Sequence, residues 1–174
     1  MKSENKMRQI KIEKLVLSCG AVGEKLDRSM KLLKFLTGKE PIRTITTKRM
    51  PAFSIRPGLQ IGCKVTLRGP QVSEILRRML EVNDNNLTKK QVGNGVVNFG
   101  IHEYIEIPGI QFQREIGILG FDGSLSLKRA GFNVKLRKIK RGSIPARHKI
   151  TKEETAKFME DNFKVKITEG KKEK

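Results

Sequence analysis

The amino-acid sequence predicts an α+β domain, a mostly antiparallel sheet with helices packed on one face and long basic loops. Stretches in which apolar and polar residues alternate are typical of half-buried strands, and they occur on both sides of stretches with helical spacing. These elements do not alternate strictly, as a parallel βαβ arrangement would require. With 174 residues, residues 1–174 fit a single domain, and we expect an ordered core from about residue 7 to residue 167.

The first half of the chain predicts a strand, a helix and a pair of strands. A strand over Ile10–Leu17 ends before the break Ser-Cys-Gly, and apolar residues at helical spacing predict a helix over Glu24–Thr37. Ile42–Thr47 and Leu59–Leu67 alternate as strands do. The segment Lys48–Gly58 contains two prolines and a glycine, so it is predicted to be a long loop that joins these two strands.

The second half predicts two more helices and further strands. A helix over Pro70–Val82 has proline in its first turn, and a second helix over 151–162 begins with the capping box Thr-Lys-Glu-Glu. The polar loop Asn83–Gly95 precedes a short predicted strand, Val96–Ile101. The turn-rich stretch His102–Glu115 precedes a longer predicted strand, Ile116–Lys128. A last short strand is predicted over Phe163–Ile167.

The positive charge is concentrated in two stretches without any acidic residue, which we name the first and second acid-free windows. The chain has 37 Lys and Arg against 18 Asp and Glu, a net charge of +19. Pro41–Ser73 holds six of the basic residues and Gly123–Lys152 holds ten. Such a concentrated cationic surface is typical of proteins that bind a polyphosphate, because each cation that meets a phosphate releases condensed counterions.

The composition does not favour other classes of function. No run of about 18 apolar residues predicts a membrane span, and the basic residues do not follow one face of an amphipathic helix. Cys19 and Cys63 lie in apolar alternating stretches, which favours two buried thiols in a reducing compartment over a disulfide. His102 and His148 are far apart in the sequence, so we expect no zinc site, no catalytic pair and no cofactor.

The loop between the two strands of the first window carries cations where a solvated loop would carry acids and serine. It contains Lys48, Arg49 and Arg56 together with the large apolar residues Met50 and Phe53 and no acid. An exposed loop of this composition predicts contact with nucleic acid, with Phe53 either stacking on a base or anchoring the loop.

The second window contains a basic connector, residues 135–150, in front of the capped helix. Seven Lys or Arg and one His occur within 15 of its residues. Because the connector lies between ordered elements, we expect it to be held near the domain and ordered by RNA. Its predicted RNA-binding residues are Lys135, Arg137, Lys138, Lys140, Arg141, Arg147, His148 and Lys149.

Four stretches of the chain read KLVLSCGAVGEKLDRSMKLLKFLTGKEP, IGCKVTLRG, NFGIHEYIEIPGI and IPARHKITKEE. Together they resemble a universal family of large-subunit ribosomal proteins that bind 5S rRNA, named protein five in bacteria and protein eleven in eukaryotes. The resemblance extends from about Met7 to Ile167, with the motifs in the family's order. The segment Lys135–Ile167 is similar to archaeal and eukaryotic members rather than bacterial ones.

The resemblance implies a structural role in the central protuberance of the large subunit, without catalysis. The implied partners are 5S rRNA, large-subunit rRNA, P-site tRNA and a neighbouring 5S-binding large-subunit protein. The polar loop Asn83–Gly95 corresponds to an intersubunit bridge that faces the homologue of small-subunit protein thirteen. The implied location is the cytoplasmic ribosome, with a nucleolar stage during assembly if the source is eukaryotic.

The resemblance also transfers site residues. The family's 5S-binding positions fall on Lys14, Ser18, Lys39, Thr66 and Arg68. Ser18 stands where the family has asparagine and still donates and accepts hydrogen bonds, whereas Lys39 replaces glutamine and would contact phosphate. The alternating pattern independently places Lys64 on the same polar side of its strand as Thr66 and Arg68. The loop with Lys48, Arg49, Phe53 and Arg56 corresponds to the loop that reaches P-site tRNA, and the connector to a contact with large-subunit rRNA.

Two other interpretations remain open at this point. An RNA-modifying enzyme with a basic surface would need a pocket with a nucleophile or a perturbed acid, and the sequence shows no such set at readable spacing. A nonspecific RNA-binding module would have the same charge but no preference for 5S rRNA.

Overall fold

The computed structural model describes residues 5–169 and has an α+β fold, which confirms the predicted class. Five strands form a sheet in the order β2-β3-β1-β6-β5, and two short strands, β4 and β7, form a second sheet. The strands are β1 (Ile10–Gly20), β2 (Ile42–Ile45), β3 (Gln60–Leu67), β4 (Asn86–Thr88), β5 (Val96–Ile101), β6 (Phe121–Arg129) and β7 (Lys166–Thr168). The helices are α1 (Glu24–Thr37), α2 (Gln71–Val82), α3 (Asn133–Leu136) and α4 (Lys152–Phe163).

The contacts group the described residues into two compact units. One unit, the connector unit, contains the residues up to Leu15, Arg68–Phe99 and those from Ser124 on. The other, the hairpin unit, contains Val16–Leu67 and Gly100–Gly123. That residues 1–174 form a single domain stays a prediction. Within residues 5–169, none of the helices has both the length and the apolar character needed to cross a bilayer.

Helix α1 begins at Glu24 and ends at Thr37, as the sequence predicts. It ends there because Gly38 adopts a left-handed conformation, φ +67°, and its N–H donates to the carbonyl of Lys34 at 2.8 Å. Leu26, Leu32 and Leu33 are buried. The helix packs on β3, so its apolar face covers one side of the hairpin unit's strands.

Strand β1 continues to Gly20, three residues beyond the predicted end. The Ser-Cys-Gly sequence does not end it because Cys19 is a buried residue of the inward face. The N–H of Ala21 still donates to the carbonyl of Ile61 at 3.1 Å, so pairing with β3 extends to the end of the strand. Tertiary pairing here outweighs the local turn signal.

Strand β4 lies inside the segment that the sequence predicts as a polar loop. It pairs in parallel with β7, and Asn86, Leu87 and Thr88 stand opposite Lys166, Ile167 and Thr168. Leu87 is buried and is the only strongly apolar residue of its strand. A three-residue strand with one apolar side chain carries too little periodicity to be recognised, so this prediction was wrong at Asn86–Thr88.

Candidate RNA-binding surfaces

Strand β3 of the hairpin unit alternates, from Cys63 on, between buried apolar side chains and the less buried polar side chains of Lys64 and Thr66. In the antiparallel pair β2–β3, Arg43 stands opposite Cys63 and Ile42 stands opposite Lys64. The guanidinium of Arg43 donates to the Asp27 carboxylate of α1 at 2.9 Å, which shows that α1 covers the Cys63 side. Lys64 therefore points to the opposite side, where it is exposed.

Three predicted 5S-binding residues lie on the side of the strands opposite α1. Cys19 of β1 and Cys63 of β3 are both buried and hydrogen-bond to each other, so Ser18 lies on the side of Lys64 and Thr66. The two strands are neighbours in the sheet. We name Ser18, Lys64 and Thr66 the polar face.

The other three predicted 5S-binding residues are Lys14, Arg68 and Lys39. Lys14 is in β1, four residues before Ser18, and therefore points to the same side of that strand. Arg68 directly follows β3 and is exposed. Lys39 lies in the turn after α1, where its backbone N–H donates to the Thr37 hydroxyl at 3.3 Å.

The two cysteines lie behind the polar face as free thiols, as the sequence predicts. The thiol of Cys19 donates to the carbonyl of Gly120 at 3.6 Å. Its hydrogen bond with Cys63 and its burial both raise the pKa of the Cys19 thiol, so it remains protonated at neutral pH. The same hydrogen bond lowers the pKa of the Cys63 thiol, and both side chains are buried in the sheet.

The segment between β2 and β3, predicted as a long loop, has defined internal structure. Met50 and Ile55 exchange two backbone hydrogen bonds, 3.0 and 3.1 Å long, around a 3-10 helix over Pro51–Phe53. At its base, Thr46 is buried, and its hydroxyl donates to the carbonyl of Lys48 at 3.0 Å. We name residues 46–58 the hairpin loop.

The hairpin loop presents charge and one aromatic ring to solvent. Phe53 is 75% exposed, so it does not anchor the loop and its ring is free to stack. Lys48, Arg49 and Arg56 are exposed, and within the described chain none of them forms an ion pair. Backbone hydrogen bonds hold the loop while its cations stay unneutralised.

The basic connector folds back on itself instead of running as an extended chain. The N–H of Gly142 donates to the carbonyl of Val134 at 3.1 Å, which closes the segment between them. The guanidinium groups of Arg137 and Arg141 donate to the carbonyls of Lys140 and Lys135, at 2.8 and 2.7 Å. Helix α3 overlaps the start of this segment.

His148 has a structural contact that the sequence does not reveal. It belongs to a 3-10 helix over Ala146–His148, and its Nε2–H donates to the carbonyl of Ala130 at 3.0 Å. This bond ties the end of the connector to the residues just after β6. The side chain therefore has only its second ring nitrogen left for an RNA contact.

Arg129 is a structural residue that the sequence interpretation missed. It is 7% exposed at the end of β6 and donates to the Lys149 carbonyl at 3.3 Å and to the Glu154 carboxylate at 2.7 Å. It thus fixes the last part of the connector and the first turn of α4. The signal was the alternation of Leu125 and Leu127, which assigns Arg129 to the buried face.

Glu154 completes the predicted capping box and also binds Arg129. Its carboxylate accepts from the N–H of Thr151 at 3.0 Å, and the Thr151 hydroxyl accepts from the N–H of Glu154 at 3.3 Å. The Thr151 N–H first, and Arg129 in addition, hold the pKa of Glu154 below its ordinary value of 4.5. Because the folded-state pKa is lowered, the carboxylate stabilises the protein above about pH 4.5, and this contribution is lost as the pH falls.

Replacing Glu154 with Gln tests this linkage. The glutamine amide keeps the shape of the side chain but loses the negative charge beside buried Arg129. We therefore expect the free energy of unfolding at pH 7 to fall by about 2 kcal/mol. This loss is smaller than for a fully buried ion pair, because the Glu154 side chain is 39% exposed to solvent. Urea unfolding from pH 7 to pH 3 should show the difference shrinking below about pH 4.5. Glu153→Gln, one residue earlier in the same helical turn, is the control and should change little; an equal effect of both would contradict the assignment.

Nearly all cations of the two acid-free windows lack an acidic partner in the fold. Of their sixteen Lys and Arg, Arg43 and Arg129 are the two that pair with a carboxylate among residues 5–169. In the connector, the guanidinium groups of Arg137 and Arg141 donate hydrogen bonds to backbone carbonyl oxygens. These oxygens carry no net charge, so they do not neutralise the cations. The positive charge of the windows is therefore available to an external anion.

The segment Asn83–Gly95, which contains β4, is held in place by the strand after α4. Asp84 and Asn85 adopt left-handed conformations, φ +50° and +54°, and the N–H of Lys166 donates to the carbonyl of Asn85 at 2.8 Å. Lys89 forms an ion pair with Glu169, which lowers the pKa of that carboxylate. The predicted bridge loop is thus an ordered part of the connector unit.

Comparison with protein families identifies two adjoining matches that cover most of the chain. Residues 5–56 match the model described as "Ribosomal protein L5". Residues 60–158 match the model that describes the C-terminus of the same ribosomal protein family. The boundary between them falls at the end of the hairpin loop.

Curated relatives cover nearly the whole length of the chain. The large ribosomal subunit protein uL5 of Nanoarchaeum equitans is 41% identical, over 94% of this chain and 99% of the relative. The protein of the same name from Sulfolobus acidocaldarius is 40% identical, over 97% of each. That of Methanobrevibacter smithii is 38% identical, over 92% of this chain and 96% of the relative.

Proposed function

The chain belongs to the ribosomal protein L5 family of the large ribosomal subunit, and from this premise we propose that it joins 5S rRNA to large-subunit rRNA and contacts P-site tRNA. The family is one of structural ribosomal proteins, not of enzymes. The observation that carries the proposal is that fourteen of the sixteen window cations, all but Arg43 and Arg129, have no acidic partner within residues 5–169. Unpaired cations gathered in this way supply affinity for a phosphate backbone.

The polar face is the proposed surface for 5S rRNA. It combines the Lys64 ammonium with the hydroxyls of Ser18 and Thr66, and α1 covers the opposite side of β3. A flat face of this kind offers hydrogen bonds to bases and riboses as well as charge to phosphates. Lys14 of β1 and Arg68, which directly follows β3, are proposed as further contacts with 5S rRNA, and Lys39 would contact phosphate from the turn after α1.

Replacing Arg68 with Ala tests the proposed 5S surface. We expect 5S rRNA binding to weaken by about 1–3 kcal/mol, the range for losing one charge-assisted contact, because Arg68 is exposed and has no ion-pair partner among the described residues. Filter binding at about 0.2 M salt, with an unrelated folded RNA as competitor, measures both affinity and preference.

Arg77→Ala removes the same charge from an exposed position in α2 and serves as the control. It should leave 5S binding nearly unchanged. If both variants bind like the wild type, Arg68 is not part of the surface. If the wild-type protein shows no preference for 5S rRNA, the proposed function itself is wrong and the nonspecific module is correct.

The hairpin loop is the proposed contact with P-site tRNA, and the basic connector is the proposed contact with large-subunit rRNA. The support for the first is the exposed ring of Phe53 beside Lys48, Arg49 and Arg56, which match a stacking platform with phosphate contacts. For the second it is the connector's uncancelled charge. By the same reasoning from the family, Asn83–Gly95 is proposed to face the small-subunit protein at an intersubunit bridge.

Replacing Lys48, Arg49 and Arg56 together with Gln tests the separation of these surfaces. We expect 5S rRNA binding to be retained, because the loop's hydrogen bonds come from its backbone and from the Thr46 hydroxyl, which the substitutions do not remove. Ribosomes that carry the variant should release P-site tRNA faster in a nitrocellulose retention assay. Loss of 5S binding and of tRNA retention to the same extent would contradict separate surfaces.

A further inference from the structure

A cavity of about 520 Å³ in the connector unit is lined by the connector together with Asn94, Gly95, Leu127 and Phe132. Its floor is apolar and includes Leu127, Phe132 and Ile150. Three cations, Lys135, Arg141 and Lys149, stand at its rim, and the residues that line it include no carboxylate. The volume is that of a typical small-molecule site, which normally pairs apolar walls with a few polar groups.

The lining combines the two features that an unstacked nucleotide requires. The partly exposed ring of Phe132 has the Lys135 ammonium 5.8 Å from its centroid, so the ring and the cation form one platform. A nucleobase stacks on such a ring while the phosphate of the same nucleotide meets neighbouring cations. Asn94 and Ser143 add an amide and a hydroxyl that can bond to the polar edge of a base.

The walls of the cavity are fixed before any ligand binds. On one side, the N–H of Gly95 donates to the Thr155 hydroxyl at 3.0 Å and its carbonyl accepts from Leu127 at 2.8 Å. On the other side, the guanidinium of Arg141 donates to the Lys135 carbonyl at 2.7 Å, which holds two rim cations together. A preformed site loses little conformational entropy on binding.

We propose that this cavity binds one unstacked nucleotide of ribosomal RNA, with its base against Phe132 and its phosphate on Lys135, Arg141 and Lys149. The inference rests on the proposed contact between the connector and large-subunit rRNA, and it makes that contact more specific. Charge alone would let the connector lie on any phosphate backbone. A base in the cavity would fix the connector's position at one unpaired nucleotide.

An NMR titration of the full-length protein with small probes tests the cavity directly. The probes are the four nucleoside 5′-monophosphates, ribose 5-phosphate and N-acetylphenylalanine. We expect at least one nucleotide to shift the amide signals of Gly95 and Gly142 at millimolar concentration, and to bind at least about tenfold more tightly than ribose 5-phosphate because the base stacks. Phe132→Leu should abolish that preference, whereas Ile139→Ala, an exposed connector substitution away from the cavity, should retain it.

Three results of the titration would overturn the proposal. The first is equal binding of the nucleotides and ribose 5-phosphate, which would leave only charge. The second is nucleotide shifts that fall outside the cavity. The third is tighter binding of N-acetylphenylalanine than of any nucleotide, which would assign the cavity to a side chain of a protein partner.

Binding of large-subunit rRNA by the same proteins separates this inference from the proposed function. We expect the wild type and Ile139→Ala to bind equally and Phe132→Leu to bind about tenfold more weakly. If the wild type does not bind this RNA, the proposed function fails, and the titration still decides whether the cavity takes a nucleotide. If all three proteins bind equally, the connector contact stands and the nucleotide site is wrong.

Discussion

Neutralising five cations of the connector should weaken binding to large-subunit rRNA by about a hundredfold to a thousandfold at 0.2 M salt. The reason is that none of them has an acidic partner within residues 5–169, so each is available to release counterions from RNA. The slope of log affinity against log salt should fall by about 3 to 5. Fluorescence anisotropy at several salt concentrations measures both. The substitutions, all to Gln, are at Lys135, Arg137, Lys138, Lys140 and Arg141.

A control with the same loss of net charge decides whether the position of the charge matters. Five exposed cations outside both windows, without ion-pair partners among the described residues, are changed to Gln. If the salt slope falls equally in both variants, the RNA responds to net charge alone and the connector is no special contact. The control positions are Lys25, Arg28, Arg77, Lys90 and Lys157.

Replacing Gly62 with Ala should destabilise the protein by about 3 kcal/mol, at the upper end of the usual cost of adding atoms to a packed site. Gly62 is a buried residue of β3, and a Cβ atom there would stand 2.6 Å from the Cys19 carbonyl oxygen and 3.1 Å from the Thr44 hydroxyl. The carbonyl belongs to the backbone of β1 and has no rotamer with which to avoid the contact. Urea unfolding should therefore show a lower midpoint with an unchanged slope.

Gly20→Ala is the matched control, because a Cβ atom at Gly20 would have no atom within 4 Å. Its unfolding free energy should stay within about 0.5 kcal/mol of the wild type. Equal midpoints for the two variants would mean that β1 and β3 can separate without cost. We also expect the Gly62 variant to bind 5S rRNA more weakly, since any shift of β1 moves Ser18 relative to Lys64 and Thr66.

The sequence predicted those elements whose own residues determine them. Helix α1 matches its predicted bounds because both its apolar spacing and its stop at Gly38 are local. The opposite faces of β3 were predicted from alternation alone, and Cys63, Val65 and Leu67 are buried while Lys64 is exposed. The capping box at Thr151 was likewise local and is present.

The sequence could not predict features that depend on distant partners. The extension of β1 to Gly20 requires β3, and β4 requires β7, about 80 residues later in the chain. Arg43 was counted with the RNA-facing charge, yet register places it toward Asp27 of α1. The contacts of Arg129 with the Lys149 carbonyl and the Glu154 carboxylate likewise join residues 20 and 25 positions apart in the chain.

The pairing of β4 with β7 has a consequence for the order in which this protein becomes complete during its own synthesis. Asn86–Thr88 find their partners only in Lys166–Thr168, so the segment around β4 cannot acquire its final form until those residues have left the exit tunnel. The hairpin of β2 and β3 has both strands available about one hundred residues earlier, because contacts close in sequence form first. A nascent chain would thus acquire its hairpin loop well before the Asn83–Gly95 segment.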